Sequence, residues 1–295
     1  MVNTSKWPVT VDGVRLDTLA YNVSTRSGRD IPAEVAGGNI DTGMRDGNLW
    51  VPHKKAGPGR FVLKMWVAGT DEDGVVPIDT DDYWKYRLNL DKLLRMFRVT
   101  HRKLDVRQQW NIAGTQVRQA LCDVTAIVTP EMLTAFPYTS ELTIELNITD
   151  AFWQDVSDSN YDSNIGLVAN TDLPLPAFAA GTAPMRDLYL VVDGPATNPK
   201  IIDVPSAHYL QLNATVPSGQ QWVVNTAEWT SKVGVGIAFT TGGTDMYAST
   251  VFAGGHSPKM FGITQDPVMG PKARIEGSAF GANTRLRIRG KIKYL

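Results

Sequence analysis

Four histidines, one cysteine and a few acidic clusters are the residues of this chain whose types could do chemistry. His53, His101, His208 and His256 are widely separated, each in a different local setting, so they offer no metal-ligand spacing. Gly254-Gly255-His256-Ser257-Pro258 puts a hydroxyl beside an imidazole. A base and its nucleophile have to face each other, which adjacent residues in a chain seldom do, so no catalytic role is assigned there. Asp158-Ser159-Asn160-Tyr161-Asp162 has the opening of a calcium loop, but Ser163 stands where the sharp turn needs glycine and Ala169 where the bidentate glutamate belongs. Asp71-Glu72-Asp73 and Asp81-Asp82 sit in a turn and at a helix start, and nothing nominates them as an acid/base pair. Cys122 lies in the apolar run Ala120-Leu121-Cys122-Asp123-Val124 and reads as a small buried hydrophobe; a single cysteine permits no internal disulfide. The phosphate-loop, dinucleotide, zinc-protease and nucleophile-elbow motifs are absent, so neither an enzyme nor a cofactor is expected.

Two other patterns invite partners rather than catalysis. At the C-terminus, Arg285, Arg287, Arg289, Lys291 and Lys293 occupy every second position, with Leu286, Ile288, Ile292 and Tyr294 between them. On a strand the five cations share one face. They repel unless acids or solvent neutralise them, and either cross-strand pairing or an acidic partner surface would serve. Trp222 and Trp229 are candidates for stacking on a saccharide, against the simpler reading of core packing.

The elements that would position these residues are mostly short strands. Val9-Thr10-Val11, Asp12-Gly13 and Val14-Arg15-Leu16 spell a hairpin whose turn pair tolerates positive φ. Residues 24–60 read as a long loop or extended arm, a length that usually marks a partner surface. Phe61 to Val67 is nearly all apolar and is expected to be a central strand covered on both faces. One helix is expected after Thr80 or Asp81, with Tyr83, Tyr86, Leu90, Leu93 and Phe97 on one face and Lys85, Lys92, Arg95, Arg98, Arg102 and Lys103 around it. Strands follow at Leu104 to Trp110, Gln116 to Val128 and Glu141 to Thr149. The polar, then Pro/Ala-rich stretch 156–186 reads as a linker. Beyond it come Leu188 to Val192, Lys200–Ile202, Tyr209–Ala214, Gln221–Asn225, Gly234–Thr240, Tyr247–Phe252, Lys272–Glu276 and Thr284–Tyr294, spaced as in a β-sandwich.

The length of 295 residues suits two domains. Residues 1–150 hold 18 basic and 19 acidic side chains and the remainder 11 of each, so bulk attraction to nucleic acid or anionic membrane is not implied. No apolar run approaches the ~18 residues of a membrane span. Met1 to Pro8 lacks the apolar core of a signal peptide, and the Asn-x-Ser/Thr triplets carry no weight without secretion.

The order of features resembles the distal tail proteins of long, flexible-tailed bacteriophages, in particular the minor tail proteins of phages infecting actinobacteria. The resemblance is carried by the Asp12-Gly13 hairpin, Gly47-Asn48-Leu49-Trp50-Val51-Pro52, the Phe61–Val67 strand with Gly69-Thr70-Asp71-Glu72-Asp73-Gly74, and the helix phrase Tyr86-Arg87-Leu88-Asn89-Leu90-Asp91-Lys92-Leu93-Leu94. Asp150-Ala151-Phe152-Trp153 is similar to the phrase that closes the family's first domain, with Ala151 where proline is common. Asp193 to Ile201 and Pro217 to Thr226 are similar to turn-and-strand phrases of its second, the latter with Asn225 where aspartate is common. The resemblance implies a mainly β chain. Residues 1–155 would be a ring-forming β-sandwich or split barrel with one helix, and 187–295 a galectin-like β-sandwich. It implies a structural virion protein with no chemistry to carry over. The chain would form a homo-oligomeric ring, a hexamer, between the tail tube protein and the tail-tip hub, assembled in the host cytoplasm. A carbohydrate-binding module recognising a host surface saccharide is the alternative function. Contacts in such a ring are heterologous, so the basic helix surface at Arg95 and Arg98, the C-terminal cations and acidic stretches such as 71–82 are the candidate interface groups.

Overall fold

The computed structural model describes residues 9–23, 35–36, 40–41, 48–49, 55–56, 59–75, 81–98, 101–110, 115–128, 132–135, 138–253 and 261–294. The His256-Ser257 pair and most of the expected arm at 24–60 lie outside them. The fold is mainly β with one α-helix, and it divides into two compact units, Met1–Gln154 and Asp155–Tyr294.

In the first unit a single antiparallel sheet runs, in spatial order, Val14–Arg15, Val9–Val11, Leu104–Gln109, Val117–Val128, Tyr138–Ile148, Gly59–Ala68 and Tyr21–Val23. Met132–Ala135 returns onto Tyr138–Ile148. The opening hairpin turns on Asp12 (φ 50°) and Gly13 (φ 79°), both left-handed as a type I′ turn requires. Within 24–60, Val35–Ala36 pairs Lys55–Ala56 and Ile40–Asp41 pairs Asn48–Leu49, two nested antiparallel ladders.

Strict alternation sets the core. Phe61, Leu63, Met65 and Val67 meet Leu142, Ile144 and Leu146 of the next strand on one buried face. Lys64 and Trp66 face outward, with Trp66 41% exposed, so the expectation that this strand is covered on both faces is corrected. The apolar outward residues that suggested it, Val62 and Trp66, belong to the second face of an ordinary one-sided strand.

The helix spans Asp82–Phe97 and closes the buried face. Asp81 caps it, its side chain accepting the Tyr83 amide at 3.0 Å. Tyr86, Leu90, Leu93 and Phe97 point inward as their spacing predicts. Tyr83 is 40% exposed and instead sets its ring edge-on to Tyr138 at 5.0 Å. The fifth buried position is Asn89, whose Nδ2 donates to the carbonyls of Ala68 (2.7 Å) and Thr70 (2.8 Å), while the Tyr86 hydroxyl meets Ser140 Oγ at 2.9 Å. Burying one Leu or Phe side chain contributes about 1.5–3 kcal/mol, against at most ~1 kcal/mol for an exposed ion pair. The apolar stripe, not the basic surface, holds the helix to the sheet.

The second unit stacks two antiparallel six-stranded sheets. One runs Ser159–Asp162, Arg285–Gly290, Tyr189–Asp193, Gln221–Asn225, Thr230–Gly234, Thr244–Asp245. The other runs Asp172–Pro174, Lys272–Ser278, Ala196–Asp203, Tyr209–Leu212, Thr250–Ala253, with Thr215–Val216 added to Ala196–Asp203. Leu190, Val192, Trp222, Val224, Leu286 and Ile288 share one face of the first sheet, and Ile201, Leu210, Leu212, Ala273 and Ile275 are buried from the second. A hydrogen bond between Ser231 Oγ and Thr250 Oγ1 (2.7 Å) crosses from sheet to sheet.

Two expectations change here. Residues 156–186 are woven into the unit rather than linking it. Ser159–Asp162 pairs with Arg287–Gly290, Asp172–Pro174 pairs with Lys272–Arg274, and Leu175, Phe178, Ala183 and Met185 are fully buried. Their prolines and polar residues fit because both strands lie at sheet edges. Gly234–Thr240 is not one strand. Thr230–Gly234 pairs with Gln221–Asn225, and the chain then turns into the small ladder Gly236–Ile237 with Thr240–Thr241.

Candidate functional site

The alternating cations at the C-terminus occupy one regular strand only as far as Gly290. Arg285, Arg287 and Arg289 stand on the sheet face opposite Leu286 and Ile288, beside Asp193, Val191 and Tyr189 of the neighbouring strand. Arg285 Nε donates to Asp193 Oδ2, which raises the guanidinium pKa further, and its Nη1 reaches Asp162 at 3.3 Å. Arg287 Nη2 donates to Asp193 Oδ1 (2.6 Å) and to Gln221 Oε1 (3.0 Å), while Gln221 Nε2 donates to the Thr240 carbonyl (2.7 Å). The Gly236–Thr241 ladder therefore folds over this face, and Phe239 lies 4.6 Å from the Arg289 guanidinium and 5.7 Å from that of Arg287. Arg289 also stacks on Tyr189 at 4.4 Å and lies 3.6 Å from Asp158. Past Gly290, Lys293 is buried and its Nζ donates to Asp187 at 2.6 Å. Lys291 lies between, outside both strands. The structure thus separates the five cations. Arg285, Arg287 and Arg289 form one internally compensated cluster, Lys293 a second pair, and Arg287 and Lys293 carry almost no surface.

The helix presents the opposite case. Arg95 in its last turn and Arg98 at its C-cap are exposed, as is Arg87, and none of the three has an ion pair among the described residues. Trp84, 58% exposed, and Leu88, 46% exposed, lie one turn apart on the same outward face, continued by Asp91 and Arg95. This face was only half visible in sequence. The cations stood out, but Trp84 and Leu88 were masked by the stronger inward stripe.

Of the two tryptophans, Trp222 is fully buried and donates from Nε1 to Ser231 Oγ at 2.9 Å, so it is a core residue and not a stacking platform. Its strand position opposite the second sheet explains this. Trp229 is half-buried on a hairpin corner at φ 59°, its ring 6.3 Å from Phe252. Cys122 is buried, and burial pushes its thiol pKa up to about 12. Among the described residues no group of three His, Cys, Asp or Glu is placed to hold a metal, and no helix is long and apolar enough to cross a membrane.

No family model and no curated protein matches this sequence. Among solved structures, the chain superposes on the crystal structure of the SPP1 Dit (gp 19.1) protein, described as a paradigm of the hub adsorption apparatus in phages infecting Gram-positive bacteria. The TM-score is 0.58 at 11% identity, over 98% of this chain and 99% of that one. The chain has the Dit fold. Structures of the phage P2 baseplate in its activated conformation, with Ca and with Sr, are also similar, each at TM-score 0.38 and 7% identity over 97% of both chains. The Dit fold is shared end to end, both units included, which loosely ordered phrases such as Asp193 to Ile201 had suggested and no short motif could carry at 11% identity.

Proposed function

We propose that this chain is a structural subunit of a phage tail, closing as a homo-oligomeric ring at the distal end and joining the tail tube to the tail-tip hub. The observation that supports it most is the match over 98% of the chain, both compact units included, to a protein described as a hub of the phage adsorption apparatus. The outward helix face supports it chemically. Trp and Arg are the residue types most enriched at the centres of protein interfaces, and Trp84, Leu88, Arg87, Arg95 and Arg98 gather there. In a closed ring this face meets a different face of the next copy, so an acidic surface such as 71–73 is its expected counterpart. The proposed ring is a hexamer closed through the first units.

Purified full-length chain examined by light scattering and negative-stain imaging should give a closed ring with a central channel. A strict monomer at every concentration tested, absent from the tip of intact tails, would overturn the reading.

A further inference from the structure

At the edge of the first sheet of the second unit, the Thr230–Gly234 strand pairs with Thr244–Asp245 in a register that sets Lys232 directly across from Asp245. Ser231 and Val233 point into the core, so Thr230, Lys232 and Asp245 stand on the outer face. With Trp229, Gly243 and Tyr247 they line an open groove of ≈ 480 Å³, within the ~300–1,000 Å³ of small-ligand clefts. Tyr247 is 45% exposed, and its ring and that of Trp229 lie 6.2 and 6.3 Å from Phe252, at 48° and 72° to it. Two aromatic surfaces are thus held against a common third ring.

Two features show that this arrangement is maintained against a cost. Trp229 sits at φ 59°, a left-handed conformation that bulky side chains rarely adopt and where Gly or Asn would be at ease. Gly243 lines the groove at a point where any Cβ would fall 2.0 Å from the Val233 carbonyl, so the edge strand can lie this close only with glycine there. The polar groups are available. Asp245 uses Oδ1 to accept the Tyr247 amide at 3.0 Å, and the Lys232 ammonium forms no hydrogen bond or ion pair among the described residues.

We propose that this groove binds a neutral oligosaccharide. Its chemistry is that of a sugar site: aromatic faces to cover the C–H surface of a pyranose ring, with a carboxylate acceptor and an ammonium donor in the same lining for its hydroxyls. The opposite charges of Lys232 and Asp245 leave the groove without net charge, which suits a neutral ligand over an acidic one. Binding here does not depend on ring closure, so the two readings stand or fall separately.

The test is calorimetric titration of the full-length chain with three neutral hexasaccharides, of glucose, of galactose and of N-acetylglucosamine. Saturable binding to at least one is expected, with Kd on the order of 1 mM or tighter. Tyr247→Ala, at an exposed side chain, and Trp229→Asn, which suits the left-handed backbone, should each weaken it at least tenfold while the chain keeps a cooperative thermal transition. Ile237→Ser, at an 85%-exposed residue outside the groove, should leave it intact. No saturable heat with any of the three up to about 10 mM, or binding that survives both groove substitutions, overturns the proposal.

Discussion

Three arginines on the Arg285–Gly290 strand and three on or just after the Asp82–Phe97 helix carry the same charge on regular elements, and only their surroundings differ. The strand lies between Ser159–Asp162 and Tyr189–Asp193, which supply Asp162 and Asp193, with Asp158 just ahead of the first and the Gly236–Thr241 ladder as a roof. Its cations are consumed in holding the second unit together. The helix borders solvent on its outward side, and Arg87, Arg95 and Arg98 meet no acid among the described residues. A basic stripe in a β-rich unit is therefore a poor guide to an interface, because sheet neighbours bring acids to it at every second residue. A basic stripe on the outer face of a lone helix has no such neighbours, and its charge remains for a partner.

Removing a charge from the compensated cluster should have the largest effect. Arg287→Ala leaves Asp193 with half its partners and Gln221 Oε1 without its donor, in a face where the Arg287 side chain is 10% exposed and that of Asp193 18%. Breaking one side of a buried pair costs about 3 kcal/mol, a sizeable part of a typical margin of about 5–15 kcal/mol, read as a lowered denaturant midpoint of the second unit. Since Arg285 still holds Asp193, the Arg285→Ala/Arg287→Ala double variant should lose more than either single change. A change under about 0.5 kcal/mol in Arg287→Ala would mean that the cluster is surface charge after all.

Asp203 sharpens the contrast as an inward acid with no cation partner among the described residues. It is fully buried, accepting from Ser206 Oγ at 2.5 Å and from the Thr264 amide (3.1 Å) and hydroxyl (2.6 Å). Loss of hydration outweighs those bonds and raises its pKa above the 3.8 of a free aspartate. Between 3.8 and the raised value the folded chain keeps a proton that the unfolded chain has released, so this group's contribution is best at acid pH and falls as pH rises through that window. Relative to Asp203→Asn, which cannot ionise, the native chain should lose stability on going from pH 4 toward neutrality. The opposite trend in urea unfolding at a series of pH values would show that the hydrogen bonds dominate the burial.

How far the sequence could be read follows the same division. Elements whose signal is local were legible. The Asp12-Gly13 turn, the helix from Asp81 to Phe97, the Gln221–Asn225 strand and the inward stripe Tyr86, Leu90, Leu93 and Phe97 depend on residues close in the chain. What depended on distant neighbours was not. The two edge strands in 156–186 have little apolar pattern because an edge buries little, and their partners come more than a hundred residues later. Trp222 and Trp229, equal as letters, differ because one strand position faces the second sheet and a hairpin corner does not. The groove at Lys232, Asp245 and Tyr247 needs a strand pairing, Thr230–Gly234 with Thr244–Asp245, that no local pattern announces.

A smaller effect is expected where a pair exists but water reaches it. Arg102 Nη2 meets Asp12 Oδ2 at 2.7 Å and holds that carboxyl below its ordinary pKa, yet the arginine side chain is 48% exposed. Arg102→Ala should cost under about 1 kcal/mol and the loss should shrink in high salt. A loss near that of Arg287→Ala would erase the distinction between the two settings.

The least effect on folding, and the greatest on assembly, belongs to the helix. Arg95→Glu with Arg98→Glu alters two exposed side chains with no ion pair among the described residues, so the stability of the isolated chain should fall by no more than about 1 kcal/mol. Glutamates in the last turn do oppose the helix dipole by about 0.3–1 kcal/mol, which sets the upper bound. If the proposed ring closes through this face, the same variant should stay open at concentrations where the native chain closes, because the reversed charges would meet an acidic counterpart. Trp84→Ser on the same face should do likewise without touching charge. A variant that is destabilised yet still assembles would place these arginines with Arg285 and Arg287, as cations that serve their own unit.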